Sequence, residues 1–499
     1  MERGATVNSL QRRCASPRGM HRLPILALLL ATIAPIGQPE TTGTLSKSHI
    51  APPLAPQEQL GEDGDLFQYT PDQIPVLLAP SNETPTKRVE CALSGLSQWY
   101  NINTGLWETA GWWNGANIIT MIGDAALAEP DNNHLQLLAR RTFANAIRKA
   151  PAKNPDPGRE SPNNENPESS KIVQLETPYN KYMDWKTWQP HSNYPINWFH
   201  SVNTRVSVDG TIPLLSDPQY DEATLLSNFT PNPYDFLDGY YDDDLWWCLA
   251  WLTAYDLTHN TVYLHLAEGI FSAVASTWST NCSSGGVYWN YNRTYVNAIT
   301  NELFFSSAAH LANRADDKAY YTKWAQDSLN WFLASGMLNA QGTINDGLDA
   351  VTCKNNNGTV WSYNQGVILG GLVELNLAAP NTTLLPLATR IANAALSALK
   401  DAGSVIHDPC ERDESCGADG TQFKGIFMRN MAKLQKETCK ETGDAELEHA
   451  ILVNAESIWT KAREGEVFGN NWAQKFQGPA NASVQGSAMD ALVGAVRIG

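Results

Sequence analysis

Basic residues are scarce in this 499-residue chain, where 35 Lys+Arg stand against 52 Asp+Glu for a formal charge of −17. A surface with that balance repels phosphate backbones and anionic bilayers, so neither nucleic acid nor a membrane surface is expected as a partner. Charged residues make up only 17% of the chain and hydrophobic ones 42%, which excludes global disorder. There is no GxSxG elbow, no GxxxxGK[ST] phosphate loop, no HExxH and no i, i+4 pair among the ten His, so those hydrolase and nucleotide chemistries find no support. Nor is there a CxxC or paired-His spacing of the zinc type, and no motif calls for a metal or a cofactor. Phe is the rarest aromatic, 13 against 17 Trp and 17 Tyr. The surplus rings carry polar tips, which suit the face of a sugar as well as a core.

Long apolar runs are also rare. One spans Leu23 to Ile36 behind Arg12, Arg13, Arg18 and Arg22, the pattern of a signal peptide over residues 1–37, with either Met1 or Met20 as the start. An anchor helix is the alternative, disfavoured because about 20 apolar residues are needed to span a bilayer. The stretch from Met489 to Gly499 lacks the spacer and tail of a lipid-anchor signal. A soluble, monomeric, secreted or cell-wall-associated protein without a stable membrane anchor is the expectation. With Cys14 in the leader, seven cysteines remain. Cys410 and Cys416 are the expected local disulfide, Cys248 the expected buried free thiol, and the odd count leaves one cysteine unpaired. Seven Asn-x-Ser/Thr sequons, at Asn82, Asn228, Asn281, Asn292, Asn357, Asn381 and Asn481, fit a secretory route.

Residues 38–90 are rich in Pro, Thr and Gly and read as a flexible or propeptide-like arm ahead of a catalytic domain over 91–499. From there apolar residues recur at helical spacing in eleven segments: 93–127, 134–150, 242–257, 262–278, 298–313, 320–335, 362–378, 384–399, 422–441, 445–462 and 484–498. No strand ladder is evident. The segments come in pairs, and about six similar hairpins predict an all-α fold, an α/α toroid of inner and outer helix rings. An open solenoid is the alternative, disfavoured by a small, apolar last helix with no polar capping face. Gly366, Gly370, Gly371, Ala308, Ala309 and Ala312 suit close packing in an inner ring. The stretch 151–236 breaks the pattern and is read as a long irregular insertion covering one face of the toroid.

The sharpest local signal is GYYDDDLWW, Gly239 to Trp247, which places Asp242, Asp243 and Asp244 at the start of a Trp-rich helix. First-turn acids favour a helix N-terminus, so capping alone accounts for part of this. Three acids between two Tyr and two Trp exceed what a cap requires. Neighbouring carboxylates can sit near the roughly 5–5.5 Å of retaining glycosidases. Like charges that close split their pKa values, which leaves one nucleophile and one proton donor. Other inner-helix starts (GWWNGAN, AITNELF, VWSYNQG, QFKGIFMRN) combine aromatic faces with amides, as a pyranose site needs.

GYYDDDLWWCLAWLTAYDLT, GGVYWN, AITNELFFSSAAHLA, NDGL, WSYNQGVILGGLVEL and QFKGIFMRNMAKL, read in order over Leu93 to Gly499, resemble the blocks of glycoside hydrolase family 76, the α-1,6-mannanases, in fungal form. That resemblance implies an α/α six-hairpin toroid and retaining attack on internal α-1,6-mannosidic bonds of mannan or mannoprotein glycans. It carries Asp242 over as nucleophile and Asp243 as acid/base, makes Asp244 a variable position, and makes Asp346 a sugar contact of the innermost subsite. Trp113, Asn117, Tyr363 and Asn364 fall on matching positions, and together with Trp246 and Asn301 they are the expected further substrate-binding residues. The related Dfg/Dcw-type cell-wall proteins suggest a second activity, transglycosylation on the mannose core of lipid-anchored glycans. A wall-binding protein without turnover is the third reading, opposed by the intact acid pair.

Overall fold

The computed structural model describes residues 83–157, 179–194, 218–439 and 444–499. The expected leader, Cys14, Asn82 and nearly all of the expected arm lie outside the described residues.

Twelve long helices are present among the described residues: α1 Pro85–Ser97, α2 Trp112–Ala128, α3 Asn133–Lys149, α4 Tyr241–Thr258, α5 Thr261–Ala275, α6 Ala298–Ala312, α7 Lys318–Ser335, α8 Ser362–Ala378, α9 Leu384–Leu399, α10 Phe423–Thr438, α11 Ala445–Thr460 and α12 Ala482–Ile498. The even-numbered helices pack on one another in sequence, and α12 returns to α2, closing an inner ring. Each inner helix carries an outer partner: α3 on α2, α5 on α4, α7 on α6, α9 on α8, α11 on α10, and α1 on α12. The α/α toroid expected from the hairpin repeat is therefore the fold, and the solenoid is not. One segment read as a single helix, 93–127, is split. A two-stranded hairpin, β1 Tyr100–Asn101 with β2 Leu106–Trp107, interrupts it, turning through Gly105 at φ +69°. Capped by Thr84 and opened by Pro85, α1 is thereby freed to complete the sixth pair.

Burial separates the rings. All fifteen residues of α6 are buried, since the helix is covered by its neighbours and by its partner, whereas α7 buries a single stripe from Tyr321 to Phe332. Gly366 shows how tightly the inner ring closes, because a Cβ there would lie 2.6 Å from the Cα of Phe427 on α10. N-cap side chains close most outer helices, Asn132, Asn260, Asp317 and Asp444 on α3, α5, α7 and α11, while those of inner helices α2, α4, α6, α8 and α10 make no such bond; α9 without a cap at Thr383 and α12 capped by Asn481 are the exceptions.

The insertion at 151–236 is less irregular than expected. It holds an antiparallel hairpin, β3 Asn180–Asp184 with β4 Gln189–Asn193, in register from Asn180↔Asn193 to Asp184↔Gln189. Asp184 closes the turn, its carbonyl accepting from Trp188 N at 2.7 Å and its Oδ1 from Lys186 N at 2.9 Å. Neither signal was visible as alternation, because Lys181 takes an inward position where a ladder would show an apolar residue.

Cys410 pairs with Cys416 and Cys248 is a buried free thiol, both as expected. Cys282–Cys353 is a further disulfide, and Cys91 is a second free thiol that the odd count did not anticipate. No described helix is long and apolar enough to cross a membrane.

Candidate active site

The N-terminal ends of α2, α4, α6, α8 and α10 meet at one crevice, lined by Trp113, Asp242, Trp246, Asn297, Tyr363, Phe423, Trp289 and Asp419. Five positive dipole ends thus point at the place where the carboxylates sit. Its walls are rings: Tyr363 stacks on Phe423 at 3.8 Å between centroids, and Trp113 on Trp246 at 5.8 Å. Three further lining residues, Lys181, Met183 and Pro190, come from the β3–β4 hairpin.

The chemistry centres on the start of α4. Lys181 Nζ lies 2.7 Å from Asp242 Oδ2 and 2.6 Å from Asp243 Oδ1, with all three side chains buried. The two oxygens are therefore no farther apart than those contacts laid end to end, within the roughly 5–5.5 Å of a retaining pair. Trp289 Nε1 donates to Asp242 Oδ2 at 3.2 Å, and Tyr179 OH donates to Asp243 Oδ2 at 2.8 Å. Burial pushes the Asp242 carboxyl up to about 6, with Lys181 pulling it down and Asp243 pushing it up. Burial also raises Asp243, against the pull of Lys181 and of the Tyr179 hydrogen bond. For Lys181 burial opposes the charge, but Asp242 and Asp243 outweigh it and hold the ammonium above its ordinary value. Asp244 turns away from the crevice, its Oδ1 accepting from Asp238 N at 2.9 Å, and so ties down the loop that enters α4. That is the capping share of the acidic triplet.

Asp346 is buried, accepts a short hydrogen bond from Tyr295 OH, and is pushed up to about 7 by burial. Its carbonyl accepts from Ala298 N at 2.7 Å, which ties the NDGL block to the start of α6. Trp113, Trp246 and Tyr363 line the crevice, whereas Asp346, Asn117, Asn301 and Asn364 do not. Asn117 accepts from Arg429 at 2.5 Å, and Asn301 bonds Val287 N and O at 2.8 and 2.9 Å, so both amides serve the inside of the ring. Asn364 is fully buried without a hydrogen-bond partner. Sequence reasoning missed Lys181, Tyr179, Trp289 and Asp419. Asp419 Oδ1 accepts from Trp113 Nε1 at 2.7 Å and from Ser192 Oγ at 3.2 Å. Trp289 sits in the GGVYWN block and could have been found there; Lys181 in β3, Tyr179 just before it and Asp419 in the one-turn helix Gly417–Gly420 lie in elements too short to show periodicity.

Residues 216–496 match the profile of glycosyl hydrolase family 76, more than half of the chain. The chain belongs to family 76. The mannan endo-1,6-alpha-mannosidase DCW1 of Candida albicans is 26% identical over 238 residues, 44% of this chain and 52% of that protein. The chain spans about half the length of the first curated relatives it matches. Among solved structures, an inactive variant of the GH76A alpha-1,6-mannanase of Salegentibacter sp. HEL1_6, with two adjacent Asp changed to Asn and α-1,6-mannotriose bound, superposes at TM-score 0.58 with 17% identity, covering 83% of this chain and 100% of that one. Dfg5 of Chaetomium thermophilum, bound to glucosamine, gives TM-score 0.57 and 17% identity over 84% of this chain and 92% of that one. At those identities the likeness establishes the shared family 76 fold, not a shared substrate.

Proposed function

We propose that this family 76 protein hydrolyses internal α-1,6-mannosidic bonds with retention of anomeric configuration. One observation carries the reading: two buried neighbouring carboxylates, Asp242 and Asp243, bracket a single point at the mouth of a crevice walled by Trp113, Trp246 and Tyr363. In this reading Asp242 attacks the anomeric carbon and forms a mannosyl ester, while Asp243 gives its proton to the departing glycosidic oxygen. Asp243 then takes a proton from water, and the hydroxide so formed displaces Asp242 from the anomeric carbon. Burial raises both acids, the direction that a proton donor needs. Trp113, Trp246 and Tyr363 stack on sugar faces, and the family resemblance adds Asp346 as a contact of the innermost ring. The relatives' names support mannan as the substrate, and the Cys282–Cys353 and Cys410–Cys416 disulfides with the sequons support an oxidising, extracellular setting at or near the cell wall.

A second reading is transfer of the mannosyl group to a sugar acceptor in place of water. The test incubates the protein, with Asp242→Asn and Asp243→Asn, on unbranched α-1,6-mannan, following products by mass and the new anomeric centre by NMR. Short α-configured oligosaccharides from the wild type alone support hydrolysis. Products only when a mannosyl acceptor is added favour transfer, and binding without any product sinks both.

A further inference from the structure

Lys181 stands where a substrate would have to be. Retaining displacement places the anomeric carbon and the glycosidic oxygen between nucleophile and acid, and here that space holds an ammonium 2.7 and 2.6 Å from the two carboxylates. The rings of Tyr240 and Trp289 flank it, each 5.8 Å from Nζ. A cation in that position resembles the positive charge that a sugar develops in an oxocarbenium-like transition state. With Lys181, Met183 and Pro190 in the crevice, the free volume is about 10 Å³, room for about one water molecule and none for a pyranose.

The hairpin is held there by the rim. Tyr240 OH accepts from Lys181 N at 3.0 Å and donates to Lys181 O at 3.1 Å. Trp361 Nε1 donates to Trp188 O at 2.8 Å, and Thr359 Oγ1 to Thr187 O at 2.6 Å. These latches grip the hairpin's backbone and leave its side-chain tip on the acid pair.

We propose that the β3–β4 hairpin is an intramolecular inhibitor, with Lys181 occupying the place between Asp242 and Asp243 that the scissile linkage takes, so that sugar enters only when the hairpin leaves. The inference rests on the reading of that pair as the catalytic acids. Occupation blocks space and also proton supply, since an ammonium shared by both carboxylates favours ionising both, and the first half-reaction needs one of them protonated.

The test compares wild type, Lys181→Met and Tyr240→Phe. Each is titrated with α-1,6-mannotriose by calorimetry and assayed for initial rate on α-1,6-mannan. Lys181→Met removes the plug's charge; Tyr240→Phe releases its latch and keeps the ion pair, so a folding defect in the first variant leaves the second informative. When only a minor open state binds, apparent Kd is raised by the inverse of its population, so opening the site tightens binding about tenfold or more. Both variants are expected to bind more tightly and to turn over faster than wild type. Equal mannotriose binding by the variants overturns the inhibitor, and weaker binding by Lys181→Met overturns it and makes Lys181 part of the sugar site. Tighter binding without turnover in any protein keeps the inhibitor and removes the glycosidase. No binding by any of the three removes the mannan reading and the inhibitor with it.

Discussion

Asp408 caps the helix that Ser362 opens. Its Oδ1 accepts from Ser362 N at 2.8 Å and its Oδ2 from Ser362 Oγ at 2.6 Å, across 46 residues of sequence. Helix α8, which has no side-chain cap at Trp361, thus takes one from the loop behind its outer partner α9. Losing such a cap costs about 1–2 kcal/mol. Asp408→Ala is expected to lower Tm and, because Tyr363 is the next residue, to raise KM for α-1,6-mannan more than it lowers kcat. Steady-state kinetics beside a melting curve check both parts.

Asp419 sets the angle of Trp113. Replacing it with Ala leaves the buried indole N–H without an acceptor, a penalty of about 1–3 kcal/mol, and lets the ring drift from Trp246. A rise in KM of about tenfold with a smaller change in kcat is the expected outcome. An unchanged KM would mean that the Trp113–Trp246 face does not hold sugar.

Stability should follow pH in a particular direction. Burial pushes Asp346, Asp408 and Asp490 up to about 7, and Asp242 to about 6. A carboxyl raised in the fold stabilises it below the unfolded value of about 4, and the gain is lost as pH rises through the folded value. Melting curves between pH 4.5 and 8, estimated about from those values, are expected to show Tm falling by a few degrees with rising pH. Glu374, held down to about 2 by His310 and Arg314 against burial, has the opposite sign: its contribution is present above the unfolded value and is lost as pH falls towards the folded one. Below pH about 4 the trend should therefore reverse.

The Cys282–Cys353 bridge closes a 71-residue separation and pins the segment that carries Trp289 to the loop after the NDGL block. Removing it with a double Ser replacement is expected to cost about 2–4 kcal/mol, read as a lower Tm. It should also weaken turnover, because Trp289 donates to Asp242.

The inner ring was legible because most of its helices are rich in apolar and small residues around the whole circumference and start with aromatic clusters. Residues Asp242 to Asp244 stood out for the same local reason, and the structure divides that triplet between the crevice and the loop that Asp244 holds. Lys181 could not be read in advance. It reaches its partners across 61 and 62 residues from a segment rich in Pro and Asn, and a lone Lys in such a segment reads as solvated. Asn117 and Asn301 were read as sugar ligands because amides beside Trp look alike whether they face a crevice or a neighbouring helix. Which of the two they face depends on ring geometry that periodicity does not carry.

Because α1 is the outer partner of α12, the first and last helices of the ring are one pair in space, with Gln485 Nε2 donating to Ala92 O at 2.9 Å. Closure is therefore the most non-local event in the assembly of this protein. Five helix pairs can form as the chain emerges, but the seam between α12, α1 and α2 waits for the final 17-residue helix. Until then the faces of α1 and α2 that α12 covers stay open to solvent, and that interval, rather than the finished ring, is when they are most exposed to aggregation and to proteases.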